Sequence, residues 1–412
     1  MKDLSNYYKE IEKTHGKATA EATEYFYSLY TDGIYKWLAS IWDKDIGGFY
    51  FSKSAKDNDY VEVKGKRILL RPDIESTSQA FGSLLSAGIG KSYDDYPTAM
   101  KEKAVKFIAS CQDPEDGYFY HVQWGKDIGT SRRARDMAKG VALMNSFGAK
   151  PLYPTAIERI NEQIESGSVN DEGSTVPEHL RSREAFIKYL ESLPINEDSY
   201  SVGHRIGAQV SEIRAAGLDG VCYDFLNSTQ FDNGLWQTEL SNRSSNGLMK
   251  ISCAYRNLGR PMPNVQKAFA AALEITCNSP LTQKDGITSV YNPPFTMLNL
   301  FSMMQDVGDD ENYALAKKMI RNRAPEILCK TADKVKLYAE PDGSFSYVMG
   351  HPSYTSQGVY VCIPDLPESD VNSNALAQGS RTRTLRALDI PDTPIFDERD
   401  TEIFFELAGE KL

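Results

Sequence analysis

The chain has 412 residues, of which 41% are hydrophobic, and a formal net charge of −11, enough chain for one large core or two ordinary ones. That acidity argues against nucleic acid, whose phosphates need a basic surface, and against adhesion to anionic membranes. The six cysteines, Cys111, Cys222, Cys253, Cys277, Cys329 and Cys362, are scattered with no CxxC pair, which argues against a disulfide framework or a zinc knuckle.

The segment from Met1 to Tyr8 lacks the apolar run of a secretion signal, and no stretch of about 18 apolar residues occurs. A soluble, cytoplasmic protein is the expectation. Helical periodicity dominates from there. Segment 19–42 places Ala22, Phe26, Leu29, Ile34, Trp37, Leu38 and Ile41 near i, i+3, i+4 spacing, the mark of an amphipathic helix. Pro72 and Asp73 are start signals for a second helix of small and apolar residues over 74–87.

The cycle then repeats. Helices are expected over 96–111 and 131–147, then 181–192 and 203–216, 219–229 and 244–258, 263–277 and 293–306, and 310–330 and 370–388. The first of each pair carries more Lys and Glu, and the second more Gly, Ala, Ser and Asn. Amphipathic helices belong outside with one wet face, and helices of small residues suit a crowded inner rank. Two long connections, 149–180 and 346–369, interrupt the rhythm. The second holds His351 and Tyr354 and is read as a site wall, since long loops in compact domains are often functional.

Between the paired helices one motif recurs: Asp45-Ile46-Gly47-Gly48-Phe49-Tyr50, Asp116-Gly117-Tyr118-Phe119, Asn233-Gly234-Leu235-Trp236, Asp285-Gly286-Ile287-Thr288 and Asp342-Gly343-Ser344-Phe345. Each joins an acid or amide to Gly, with an aromatic two residues on except at Thr288. A repeated unit implies neighbours that bury each other's apolar faces. The expectation is a single all-α domain over 1–412, an (α/α)6 toroid of about six helical hairpins around a central cavity.

Gln230-Phe231-Asp232-Asn233-Gly234-Leu235-Trp236 fits the Gln-x3-Gly-x-Trp repeat of terpenoid cyclases, and Gln112 to Phe119 is similar with Phe in place of Trp. The chain thus resembles the terpenoid cyclase and protein prenyltransferase toroid superfamily. The resemblance implies turns that tie adjacent hairpins together. It does not carry the chemistry: the Asp-x-Asp-Asp acid motif is absent, Asp73-Ile74-Glu75 being the nearest segment, and Cys253 and Cys277 lack the setting of zinc ligands. Toroids of the same outline also serve as polysaccharide lyases and glycoside hydrolases.

The expected site lies at the start of the inner helices. Asp73 and Glu75 are either a catalytic carboxyl pair or a helix cap with a first-turn acid. His121, Trp124 and Arg132 combine an imidazole, a stacking face and a guanidinium suited to a sugar carboxylate. His204 and Arg205 follow a Gly at an inner-helix entry, and Asn246 and Asn292 enter the next two as substrate donors or caps. His351 and Tyr354 share the irregular connection. His204, His351 and Tyr354 are expected to converge as acid and base.

That set suits β-elimination from uronic acids, or glycoside hydrolysis. A terpenoid-converting enzyme and a non-catalytic binding toroid are the alternatives. The expected partner is a small molecule or oligosaccharide, with no cofactor, no metal, no nucleic acid and no membrane.

Overall fold

In the computed structural model, residues 2–168 and 176–410 are described. The chain runs α1 (Ser5–His15), α2 (Lys17–Tyr27), α3 (Gly33–Ser40), β1 (Trp42–Asp43), β2 (Gly48–Phe49), α4 (Lys53–Asp57), β3 (Tyr60–Val63), β4 (Lys66–Leu69) and α5 (Ile74–Ala87). Next come α6 (Thr98–Ser110), α7 (Thr130–Ser146), α8 (Ala156–Glu165), α9 (Arg183–Glu191), α10 (Ser199–Ala208), α11 (Val210–Ala215), α12 (Asp219–Thr229) and α13 (Asn242–Leu258). The last elements are α14 (Val265–Asn278), α15 (Thr288–Asp306), α16 (Asp310–Arg321), α17 (Ala324–Lys336), β5 (Thr355–Ser356), β6 (Val359–Tyr360), α18 (Val371–Ala387) and α19 (Glu398–Leu407). The fold is therefore all-α, its strands confined to three antiparallel two-stranded hairpins among the described residues. No described helix is long and apolar enough to cross a membrane.

Six helices rich in small residues form a connected series. α10 packs on α13, α13 on α15, α15 on α18, α18 on α5, and α5 on α7. Among the described residues no comparable packing joins α7 to α10. The other helices lie against this series, α6 on α7, α14 on α15, and α17 on both α18 and α2. The last pair, with α19 on α3 and α18 on α5, brings the C-terminal third back onto the N-terminal one.

The Gly turns explain how. In three of them the acid or amide accepts the backbone N–H two residues on: Tyr118 to Asp116 Oδ1 (2.9 Å), Leu235 to Asn233 Oδ1 (2.9 Å) and Ser344 to Asp342 Oδ1 (3.1 Å). Such an Asx turn hands the chain to a Gly with positive φ; Gly117, Gly234 and Gly343 stand at +76°, +81° and +83°. A Cβ at Gly234 would overlap the backbone of Ala268 in the first turn of α14, and one at Gly117 the backbone of Thr155 and Ala156 at the head of α8. Gly343 meets Thr31 and Gly33 at the head of α3 in the same way. Each of these three turns is thus seated on the head of another helix, α8, α14 and α3 in turn.

The Gln of the repeat completes the seat. Gln112 donates to the Tyr153 carbonyl (2.8 Å) and accepts from its N–H (3.0 Å). The aromatics Phe49, Phe119, Trp236 and Phe345 are buried beneath their turns. Trp236 Nε1 donates to the Leu226 carbonyl (3.2 Å) and to Thr229 Oγ1 (3.1 Å).

Several expected elements differ. Segment 19–42 is two helices, α2 and α3, and segment 310–330 is also two, since Pro325 opens α17, a position that tolerates the missing N–H. Segment 203–216 is divided at Gln209 between α10 and α11. The connection 149–180 contains α8, announced by a Thr155–Glu158 capping box; its residues 169–175 lie outside the described ones. α15 begins at Thr288 and takes Pro293 and Pro294 into its second turn, so Asn292 lies within the helix. Gly286 lacks a positive φ and abuts the Tyr347 ring, so the fifth segment is not the same turn.

These contacts set an expectation for two glycines. Gly148 also has positive φ, at +75°, but faces open space, so Gly148→Ala should cost about 1 kcal/mol from backbone strain alone. Gly234→Ala adds steric overlap and should cost roughly 1–3 kcal/mol more. Denaturant titration of the two variants should show this gap, and equal midpoints would refute the seat.

Candidate functional site

Asp73 caps α5 through Ser76, whose N–H (3.0 Å) and Oγ (2.6 Å) both donate to it. Glu75 follows in the first turn. Arg132 reaches across from α7 with its whole guanidinium: Nη2 to Asp73 Oδ1 (2.7 Å), Nη1 to Glu75 Oε2 (3.3 Å) and Nε to Asp136 Oδ2 (2.8 Å). Its plane lies on the Trp124 ring, Cζ 4.6 Å from the centroid. Trp124 Nε1 donates to the Tyr360 carbonyl (3.1 Å), which ties this turn to the 346–369 connection.

His121 meets the Trp124 ring edge-on at 5.1 Å, with Nε2 3.5 Å from Asp136 Oδ2. Burial works against its charge, but Asp136 and Cys111 outweigh burial and push its pKa up to about 10. Three carboxylates thus face two guanidinia, of Arg132 and Arg135, and one imidazolium.

Asp73, Glu75, His121, Arg132 and Asp136 are all buried. Two expectations are corrected. Asp73 and Glu75 do not form a free catalytic pair: Glu75 accepts from Gln79, Arg132, Arg135 and Ser356, which uses both its oxygens. Nor are His121 and Arg132 presented to a ligand; they are enclosed in the network, with half-buried Trp124 as its lid.

Arg135 is different. Its Nε is committed to Glu75, yet its side chain is 30% exposed. Burial lowers the pKa of Lys139 and of Lys250, and the Arg135 charge lowers both further. His204 is brought down to about 4 by burial, then by Lys250 and Arg135. Tyr200, Tyr291 and Tyr347 are raised by burial, with Arg135 pulling the other way. Side chains from α7, α10, α13 and α15 and from the 346–369 connection therefore share one electrostatic space.

Helical spacing explains this convergence. Glu75 and Gln79, Arg135 and Lys139, Tyr200 and His204, Asn246 and Lys250, and Tyr291 and Phe295 are i, i+4 pairs in the early turns of their helices. Residues four apart share a face. Cross-links confirm the shared face: Gln79 Nε2 donates to Asn372 Oδ1 (2.9 Å), and Asn292 Nδ2 to Asn246 Oδ1 (2.7 Å). Asn246 and Asn292 thus bond each other.

His204 Nε2 is buried and has no hydrogen-bond partner. The ring also lines a cavity of about 790 Å³ between α7 and α10, together with Arg133, Tyr189, Arg205, Glu212 and Gln357. His204 and Arg205 are therefore together, Arg205 being exposed on the outer side. His351 and Tyr354 do not join them. His351 is exposed and pairs through its backbone with Val348. Tyr354 is 45% exposed and stacks on Tyr360 at 6.2 Å. Neither lines this cavity; a two-residue hairpin turns them outward.

The connection is nonetheless a wall. Ser356 Oγ donates to Glu75 (3.1 Å), and Asp370 at the head of α18 accepts from Ser353 N (3.0 Å) and Ser373 N (2.7 Å). Burial pushes the pKa of Asp370 up to about 7 against those hydrogen bonds. Lys139, Lys250 and Asp370 were not singled out from the sequence. The i, i+3, i+7 spacing of Arg132, Arg135 and Lys139 was the available signal. No family model matches the chain, and no curated protein sequence matches it.

Arg132→Gln should cost about 3–5 kcal/mol, the usual penalty for stranding buried charges, read as a shift in the denaturant midpoint. The pH dependence is also defined. His121 is raised in the folded state, so its contribution is complete below about 6.5 and lost as pH rises through about 10. Asp370 is raised as well, so its proton favours the fold and stability falls between about 3.8 and about 7. Both act in one direction, and melting temperature should fall from pH 5 to pH 9.5. His121→Gln should flatten the upper half of that profile; an unchanged slope above pH 7 would refute the imidazolium.

Proposed function

We propose that the chain is a carbohydrate-active enzyme that cleaves an anionic glycan by β-elimination at a uronic acid. The six hairpins are read as an (α/α)6 toroid, with the site at the N-terminal ends of its inner helices. One observation carries the reading: His204, whose Nε2 has no hydrogen-bond partner among the described residues, stands in the field of Lys250 and Arg135 and one helical turn from Tyr200.

In this reading Arg135 and Lys250 bind the uronate carboxylate, which makes the proton at C5 more acidic. His204 Nε2, buried in the free protein, takes that proton once the ring turns toward the substrate. The electron pair forms the C4–C5 double bond as the bond from C4 to the leaving oxygen breaks. Tyr200, four residues before His204 on the same helix face, gives its proton to that oxygen. The products are an unsaturated uronate and a new sugar hydroxyl, so protons and electrons balance.

Hydrolysis needs two available carboxyl groups flanking the bond, and Asp73, Glu75 and Asp136 are occupied by guanidinia. An isoprenoid site would be walled by apolar side chains, whereas the groups nearest His204 include Arg135 and Lys250.

Uronate-containing oligosaccharides should yield ultraviolet absorbance from the unsaturated product. His204→Ala and Tyr200→Phe should each lower kcat by about a hundredfold or more, and Arg135→Gln should raise KM as well. His351→Ala should leave turnover within about twofold, given its outward position. Release of reducing ends without the absorbance would replace elimination by hydrolysis, and inertness toward all uronates would refute the reading.

A further inference from the structure

The last turns of α13 and α18 and the middle of α15 line a second cavity of about 670 Å³, bounded among others by Arg256, Phe295, Asn299, Ser302, Arg383 and Arg386. Among the described residues none of its three arginines has a carboxylate within ion-pair distance. The two acids on its wall are engaged elsewhere. Asp389 Oδ1 is 2.6 Å from Lys317 Nζ, and Asp392 Oδ1 accepts from Tyr27 (2.6 Å) and lies 3.5 Å from Arg381.

Arg256 and Arg386 lie in the last turns of their helices, where the helix dipole favours a cation without any ligand. Arg383 is not explained that way. It sits a turn earlier, its guanidinium held 4.4 Å over Tyr291 and 4.7 Å over Phe295. In a chain of net charge −11, three arginines gathered in one concavity, whose two acids are each paired with a different cation, leave a positive charge to be met from outside. Guanidinium forks match tetrahedral oxyanions, and Ser302 and Asn299 add neutral hydrogen-bonding groups.

We propose that this cavity is a second anion-binding site, which takes a phosphate or sulfate group, free or carried as an ester on a small sugar. It is independent of the elimination reaction and would stand if that reading failed. The test is calorimetric titration of the full chain with sodium phosphate, with sodium sulfate and with glucose 6-phosphate, at ionic strength matched by sodium chloride.

Saturable binding is expected, weakened at least tenfold by Arg383→Gln and by Arg386→Gln, and unchanged by Arg135→Gln. Tighter binding of glucose 6-phosphate than of phosphate would support an ester ligand, and equal affinity the free ion. Should Arg383→Gln lose its circular dichroism signal, Arg256→Gln and Arg386→Gln decide, both residues being exposed. No saturable heat, wild-type affinity in those variants, or loss of binding in Arg135→Gln would overturn the proposal.

Discussion

Arg132 holds the architecture of this end of the molecule. A guanidinium fully removed from water is tolerated only when its donors and its charge are both matched, and here three carboxylates and an indole face do so. Its partners come from α5, from its own helix and from the 121–124 turn, and Trp124 extends the link to the 346–369 connection. Remove the arginine and three buried acids repel one another; remove one acid and an uncompensated cation remains. The network fixes the angle at which α7 meets α5, and hence where Arg135, one helical turn on, is aimed.

From that aim the character of the interior follows. The helix starts bring positive dipole ends together, and Arg135, Lys139 and Lys250 add formal charge, while Glu75 is already spent on two arginines. Asn246, Asn292, Gln79 and Asn372 bond one another across helices instead of offering counter-charge. The polar small residues serve packing as well: Gly203 admits α13, where Cβ would crowd Ile251, and Gly247 admits Ser199.

Much of this was legible from sequence. Asp73 announced the start of α5, and the Asp-Gly and Asn-Gly pairs at 116, 233 and 342 announced turns whose Asx bonds and positive φ values are present, while the pair at 285 did not. α12 was bounded correctly because its apolar period is clean. Where tertiary contact decides, the sequence was silent. The break at Gln209 has no Pro to mark it, only Gly207 two residues earlier, and α8 hid in a polar stretch with only a capping box. His351 and Tyr354 looked like a pair because of their chemistry, but a two-residue hairpin sets their direction, and that depends on the Asp370 and Glu75 contacts. The acids at 73 and 75 looked free because nothing local reveals that Arg132 and Arg135, about sixty residues on, meet them.

Burial and the Arg135 charge both hold the pKa of Lys139 and of Lys250 down, more than the nearby Glu75 raises them. Each ammonium is disfavoured first by burial and then by the Arg135 charge, so the protein holds these protons at a cost. A bound anion would reverse both causes at once, supplying a counter-charge and hydrogen-bond acceptors. Linkage makes the effect reciprocal: whatever favours the protonated lysines favours the anion by the same factor. His204 stands in the same field but answers differently. Its pKa, brought down to about 4, would rise as an anion neutralises Lys250 and Arg135, which would turn a weak base into a stronger one only when the anion is in place. If the elimination reading holds, a neutral imidazole among cations would be a base strengthened by occupancy, a coupling that an apolar or acidic cavity of the same shape would not provide.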